Sequence, residues 1–291
     1  MKMYQIKQLD DHKYSLYELT NARADSWLKV APERGGIITS FGVEDEEIFF
    51  LNKETFYDSD VNVRGGNPIL FPISGQLKNG KYEWDGIEYK MKNHGFARNL
   101  SWEVVETQTT ETDGASITLK LTSSKETKQS YPFDFEVFFT YVLKNNTLNI
   151  HQEYVNKSDK EMPIYPGFHP YFKTADKNLN YKTDAQTYLD YNDGKIKKVS
   201  DGIDLSDKKE SVVLLDGIKK EIAFELPKLN KKIHMTYGEE FAYVYLWTEE
   251  GQDFVCVEPW VAKTDELNRK EELIFVHPGE SLKTVLTIAV K

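Results

Sequence analysis

The chain of 291 residues carries a single cysteine. Cys256 cannot close an intrachain disulfide, so nothing in the sequence calls for an oxidising compartment. No run approaches the ~18 apolar residues of a membrane-spanning helix. The opening, "MKMYQIKQLDDHKYSLYEL", lacks the apolar core of a signal peptide. Together these features predict a cytoplasmic protein. Clustered cations are missing as well. The formal charge is −10, and "KIKK" (195–198) and "KKIH" (231–234) are short and flanked by acids. Nucleic acid and anionic membrane both demand dense Lys and Arg, so neither is an expected partner. A neutral small molecule is compatible with this balance.

Helical periodicity is scarce. "NKETFYD" (52–58) and "DELNRKEELI" (265–274) each allow a turn or two. No βα unit repeats, which argues against a Rossmann fold or a barrel of parallel strands. The glycines of "VRGGNPILFP" (63–72) are not followed by Lys-Ser or Lys-Thr, so they form no P-loop. There is no G-x-S-x-G elbow and no H-x-H or H-E-x-x-H spacing. Neither a metal site nor a cofactor is indicated, and Cys256 lacks the local signature of a nucleophile.

What the chain does have is a period of two. "SITLKLTS" (116–123) puts Ile117, Leu119 and Leu121 on one face and Thr118, Lys120 and Thr122 on the other. That is a half-buried antiparallel strand. Hairpins are predicted around Asp85-Gly86, Asn145-Asn146 and Glu250-Gly251, and a last alternating strand over 281–290. Many short strands without a linker predict one domain over 1–291, an all-β, large antiparallel β-sandwich. The polar segment 173–235 reads as long loops and edge strands.

Four stretches break the alternation. In "VRGGNPILFPISGQL" (63–77), Arg64 either holds a substrate hydroxyl or phosphate through its forked donors or is a surface arginine at a turn. In "KNHGFARN" (92–99), His94 is either a site residue or a turn histidine capping backbone groups. "YPGFHPYF" (165–172) fixes His169 between two prolines and four aromatics. That histidine is either structural or a proton donor, and an acid role at neutral pH needs a carboxylate nearby. In "FVCVEPW" (254–260), Phe254, Cys256, Glu258 and Trp260 share one face, and Pro259 is expected to end the pairing. Glu258 is either catalytic or an exposed carboxylate on an edge strand.

Taken in order, "NHGFAR" (93–98), "GFHPYF" (167–172) and "VEPW" (257–260) resemble the aldose 1-epimerase family, the galactose mutarotases. "RGGNPILFP" and "EPW" look most like its LacX-type branch. The resemblance runs from about Arg64 to Trp260. It implies the galactose mutarotase-like supersandwich, with a sugar site on one concave sheet. It also implies cofactor-free exchange of the α and β anomers of a free aldose of the galactose or glucose type. Position by position, Glu258 looks like the general base and His169 the general acid. His94 looks like a second histidine polarising the sugar near its ring oxygen, and Arg64 like the arginine on its hydroxyls. The family's substrate-binding aspartate falls best on Asp204, with Asp190 behind it. Phe96 and Trp260 are candidates for an apolar wall, while Phe172 reads more readily as core.

The chemistry suits these residue types. A base removes the C1 hydroxyl proton while an acid protonates the ring oxygen, and the open aldehyde then turns about C1–C2. A carboxylate and an imidazole on opposite sides of the ring suffice. The rival readings are a non-catalytic carbohydrate-binding or regulatory sandwich, an epimerase of hexose 6-phosphates, and a glycosidase or lyase. A glycosidase needs two opposed carboxylates, and only Glu258 sits in a motif. A phosphate would want a second cation near Arg64, from Lys78, Arg98 or Lys263. The expected assembly is a monomer or homodimer.

Overall fold

The computed structural model describes residues 3–291. Three antiparallel sheets build most of it. The first has five strands, from Tyr4–Asp11 to Glu46–Glu47, in chain order. The second has seven: Glu221–Leu226, Lys231–Tyr237, Ser281–Val290, Thr147–Asn156, Phe135–Lys144, Gly114–Thr122 and Glu103–Thr110. The third orders Lys195–Lys198, Thr187–Asp190, Val212–Leu214, Tyr243–Trp247, Phe254–Trp260, Gly167–Phe168 and Ile69–Leu70, with Tyr171–Lys173 also on Phe254–Trp260. Every pairing between these strands is antiparallel. The alternation explains why. Ile117, Leu119 and Leu121 are buried while Thr118 and Lys120 face outward, so one face of the sheet goes to the core.

The three hairpins form where turn residues interrupt alternation: Lys81–Trp84 with Ile87–Lys90, Phe135–Lys144 with Thr147–Asn156, and Tyr243–Trp247 with Phe254–Trp260. The short helices Lys53–Tyr57 and Glu266–Arg269 lie within the two stretches expected to turn. No helix among the described residues is long and apolar enough to cross a membrane. One apolar cluster runs from Tyr4 to Val290. Aromatic edges join the sheets across it, as between Phe139 and Phe168 and between Phe172 and Phe224. Phe172 is a core residue.

Two expectations need correction. Segment 173–235 is not confined to loops and edges, because Val212–Leu214 and Lys231–Tyr237 are interior strands. In "KKIHMTY", Ile233 and Met235 are buried while Lys232, His234 and Thr236 alternate with them on the other face, so a polar composition masked a regular alternation. Pro259 does not end the pairing. The strand runs on to Trp260, which is bracketed by Tyr243 on one side and Gly167 on the other.

Candidate active site

Strand Phe254–Trp260 is buried along its whole length and has neighbours on both sides. Glu258 is therefore an interior carboxylate, 2% exposed, and not an edge-strand surface group. His169 arrives from the next segment of the same sheet and is 5% exposed. Its rigid flanks are tied down by backbone bonds. Tyr165 N–H donates to Pro72 O (3.0 Å), Tyr171 N–H to Gly66 O (2.9 Å) and Val261 N–H to Pro166 O (3.1 Å). Asn67 Oδ1 accepts from His169 N–H at 3.3 Å. "RGGN" thus serves as a backbone clamp for "HPY". Glycine at 167 is required by close approach, since a Cβ there would lie 2.7 Å from Trp260 Cδ1.

His169 Nδ1 lies 3.5 Å from Glu258 Oε1. His169 Nδ1 and Glu258 Oε2 are both buried without a hydrogen-bond partner. Buried polar atoms are rarely left unpaired, so two at one spot mark groups kept for something else. Tyr171 stacks flat on the His169 ring (centroids 4.7 Å, planes 7° apart), and Trp247 meets it edge-on. The two groups sit side by side, not on opposite sides of a ring-sized gap. That arrangement still serves a hemiacetal, because its two oxygens are bonded to one carbon.

His94 occupies the left-handed region at φ +64°, where a non-glycine residue is uncommon. Its Nδ1 donates to Ser74 O, which leaves Nε2 as the bare nitrogen of the neutral ring. The ring packs edge-on against His169 and Trp260. Burial, and then the Arg98 guanidinium, push His94 down to about 3. Burial and the neighbouring His94 hold His169 well below the ordinary imidazole range. Burial raises Glu258 well above the carboxylate range, with Arg98 opposing it in part. Burial thus favours a neutral His169 and a protonated Glu258 in the resting site.

These groups floor a cleft of about 520 Å³. Arg64 and Trp260 line it, as does His94. Arg64 lies over Trp247 (5.3 Å) and pairs with Glu249 at 3.3 Å. Phe96 and Asp204 are not among the lining residues. Phe96 packs edge-on against Phe71 and flat against Phe135 beside a neighbouring cavity. The Asp204 carboxylate accepts from the Ser206 N–H and hydroxyl in its own turn. Asp190 is fully buried, but Lys197 (2.6 Å), Lys208 (2.5 Å) and Asn192 consume its oxygens. Lys78 and Lys263 do not line the cleft, whereas Lys209 does.

Tyr245, Trp247 and Tyr191 also line it, and sequence reasoning missed them. Tyr245 stacks on Trp260 at 3.9 Å and stands opposite Glu258 in the ladder. Counting outward from Glu250-Gly251 sets Tyr243 opposite Glu258; the observed register, with Trp247 facing Cys256, puts Tyr245 there instead. Lys209 had no signal in the sequence. Nor did the closeness of His169, Cys256 and Glu258, whose candidate ligand atoms lie within 4.8 Å of one another.

The sequence profile described as aldose 1-epimerase matches residues 16–289. The Slr1438 protein of Synechocystis sp. PCC 6803 has a crystal structure that is 33% identical, with a TM-score of 0.92 and 99% of each chain covered. A protein of Escherichia coli K12, provisionally named glucose-6-phosphate 1-epimerase, is 29% identical over 161 residues, 55% of this chain. The match spans 50% of that relative's own length. The plasmid-borne LacX protein of Lactococcus lactis is 25% identical over 256 residues, 78% of this chain and 82% of its own. The chain belongs to the aldose 1-epimerase family.

Proposed function

We propose that the chain interconverts the α and β anomers of a free aldose, with Glu258 as general base and His169 as general acid. The carrying observation is the buried pair at 3.5 Å, each member keeping an unpartnered polar atom beside an open cleft. Glu258 takes the C1 hydroxyl proton while His169 protonates the ring oxygen of the same carbon. The cleft's volume falls within the range of small-molecule sites, roughly 300–1,000 Å³. Stacked Tyr245 and Trp260 offer an apolar wall to the sugar's C–H face.

Electrostatics assist the opening step. The step starts from the ionised form of the pair, Glu258⁻ and His169⁺, and ends with both neutral, the form that burial favours in the free chain. Burial favours the neutral forms, so low polarity pulls toward the open chain. Sugar hydroxyls donating to Glu258 stabilise the charged form when substrate enters. Neutral His94 accepts a sugar hydroxyl at Nε2 and fixes the ring's orientation; a bare nitrogen does not donate to a ring oxygen. Arg64 holds further hydroxyls.

A second reading, a hexose 6-phosphate substrate, is favoured by the presence of two cations, Arg64 and Lys209, in the cleft lining and by the E. coli relative's name. Polarimetry on galactose, glucose, lactose and glucose 6-phosphate separates the two. Glu258→Gln and His169→Asn are each expected to slow mutarotation by about 10²–10⁴-fold. Glu258→Gln should keep or raise thermal stability at neutral pH, because a carboxyl with a raised folded pKa loses stability as pH rises above the unfolded value. Near-normal rates in both variants would sink the assignment. Saturable sugar binding with no acceleration in the wild type would identify a non-catalytic sugar binder.

A further inference from the structure

We infer that His169, Cys256 and Glu258 form a site for one soft divalent cation, Zn²⁺ or Cd²⁺, whose binding blocks proton transfer. Cys256 and Glu258 are two residues apart in one strand and so share a face. His169 meets them from the adjoining segment, and all three are buried. Their ligand atoms lie within 4.8 Å of one another. The separation of His169 Nδ1 from Glu258 Oε1, 3.5 Å, is close to the edge of a tetrahedron built on bonds of about 2.0–2.3 Å. Two of the donors need no rearrangement of hydrogen bonds, since His169 Nδ1 and Glu258 Oε2 have no partner to give up.

The donor set selects the ion. One imidazole nitrogen, one sulfur and one carboxylate oxygen suit zinc and cadmium, while the thiolate disfavours magnesium and calcium. The fourth position opens on the cleft that His169 and Glu258 line, so water or a sugar hydroxyl completes the shell. The ion enters by the same cleft. On binding, the thiol proton and any carboxyl proton leave to solvent. The imidazole and carboxylate then hold metal where they would otherwise exchange protons with substrate.

The single cysteine makes the test unambiguous, because any metal–thiolate signal has one source. The full chain, freed of metal, is titrated with Co²⁺ and followed for a thiolate-to-cobalt band in the near ultraviolet. One Co²⁺ per chain is expected, with the band bleached by Zn²⁺ and untouched by Mg²⁺. Zn²⁺ should inhibit mutarotation. Cys256→Ser and Cys256→Ala should retain metal-free turnover while inhibition weakens roughly tenfold or more, as when a metal site loses one contact. Absence of the cobalt band in the wild-type chain would overturn the site, whether or not the variants fold. Equal inhibition of wild type and both variants would place the ion elsewhere and overturn it too. A cobalt band with unaffected turnover would overturn the claim that the ion blocks proton transfer. The inhibition arm rests on the epimerase reading and the cobalt arm does not, so failure of one is distinguishable from failure of the other.

Discussion

His94 shows how a single residue couples conformation, charge and acid sensitivity. Its left-handed backbone aims Nδ1 at the Ser74 carbonyl, and burial keeps the ring neutral down to about pH 3. The unfolded chain protonates the same ring near pH 6.5. A lowered folded pKa means that the unfolded state binds more protons between those values. Stability is therefore lost as pH falls from about 6.5 towards 3, by up to ~1.4 kcal/mol per pH unit for one full proton. His94→Asn should flatten that slope: the difference in Tm between pH 7 and pH 4.5 shrinks relative to wild type. An unchanged slope would mean that the ring already titrates normally when folded. Both site histidines stood out in the sequence because prolines, glycines and aromatics crowd them. Their neutrality did not, since it follows from burial by residues distant along the chain.

At the scale of elements, the site depends on how tightly one strand can be flanked. Gly167 pairs with Trp260, and a methyl group there would meet both the Trp260 indole and the Ser74 Cβ (2.8 Å). Gly167→Ala should cost about 1–3 kcal/mol by overpacking. It should raise KM more than it lowers kcat, because Trp260 belongs to the cleft wall and not to the proton-transfer pair. Steady-state kinetics with a melting curve checks both halves. The loop that brings Lys209 to the cleft is pinned differently. Buried Asp190 gathers Lys197, Lys208 and Asn192. Burial opposes its ionisation, but these hydrogen bonds overcome that and hold it below the usual carboxylate range. Asp190→Ala leaves Lys208 unpartnered and Lys197 with Asp193 alone, and should destabilise by about 3 kcal/mol in chemical denaturation. A loss confined to a few tenths would show that the lysines are already solvated. Sequence reading set Asp190 behind Asp204 as a sugar ligand; the fold uses it as an anchor.

Across the whole molecule, the last strand closes a sheet built from distant parts of the chain. Ser281–Val290 lies between Thr147–Asn156 and Lys231–Tyr237, and it buries Leu286, Ile288 and Val290. Removing residues 281–291 exposes two strand edges and part of the common core. The truncated chain is expected to lose its cooperative thermal transition by circular dichroism. A native-like melt would show that the seven-stranded sheet does not need its interior strand.

Alternation of period two, turn dipeptides at three hairpins and the scarcity of helical periodicity were enough to specify antiparallel strands and an all-β architecture. Those signals are local, acting over two to ten residues, and any fold containing the strands must honour them. Four irregular stretches marked His94, His169, Glu258 and Arg64 for the same reason, since a broken alternation is visible one stretch at a time. Which residues meet across strands depends on register and sheet order, and no short window contains that. So Phe96 turned to the core, Asp204 to its own turn, and Lys209 to the cleft. The 3.5 Å between His169 and Glu258, and the thiol beside them, exist only because two segments about 90 residues apart share one sheet.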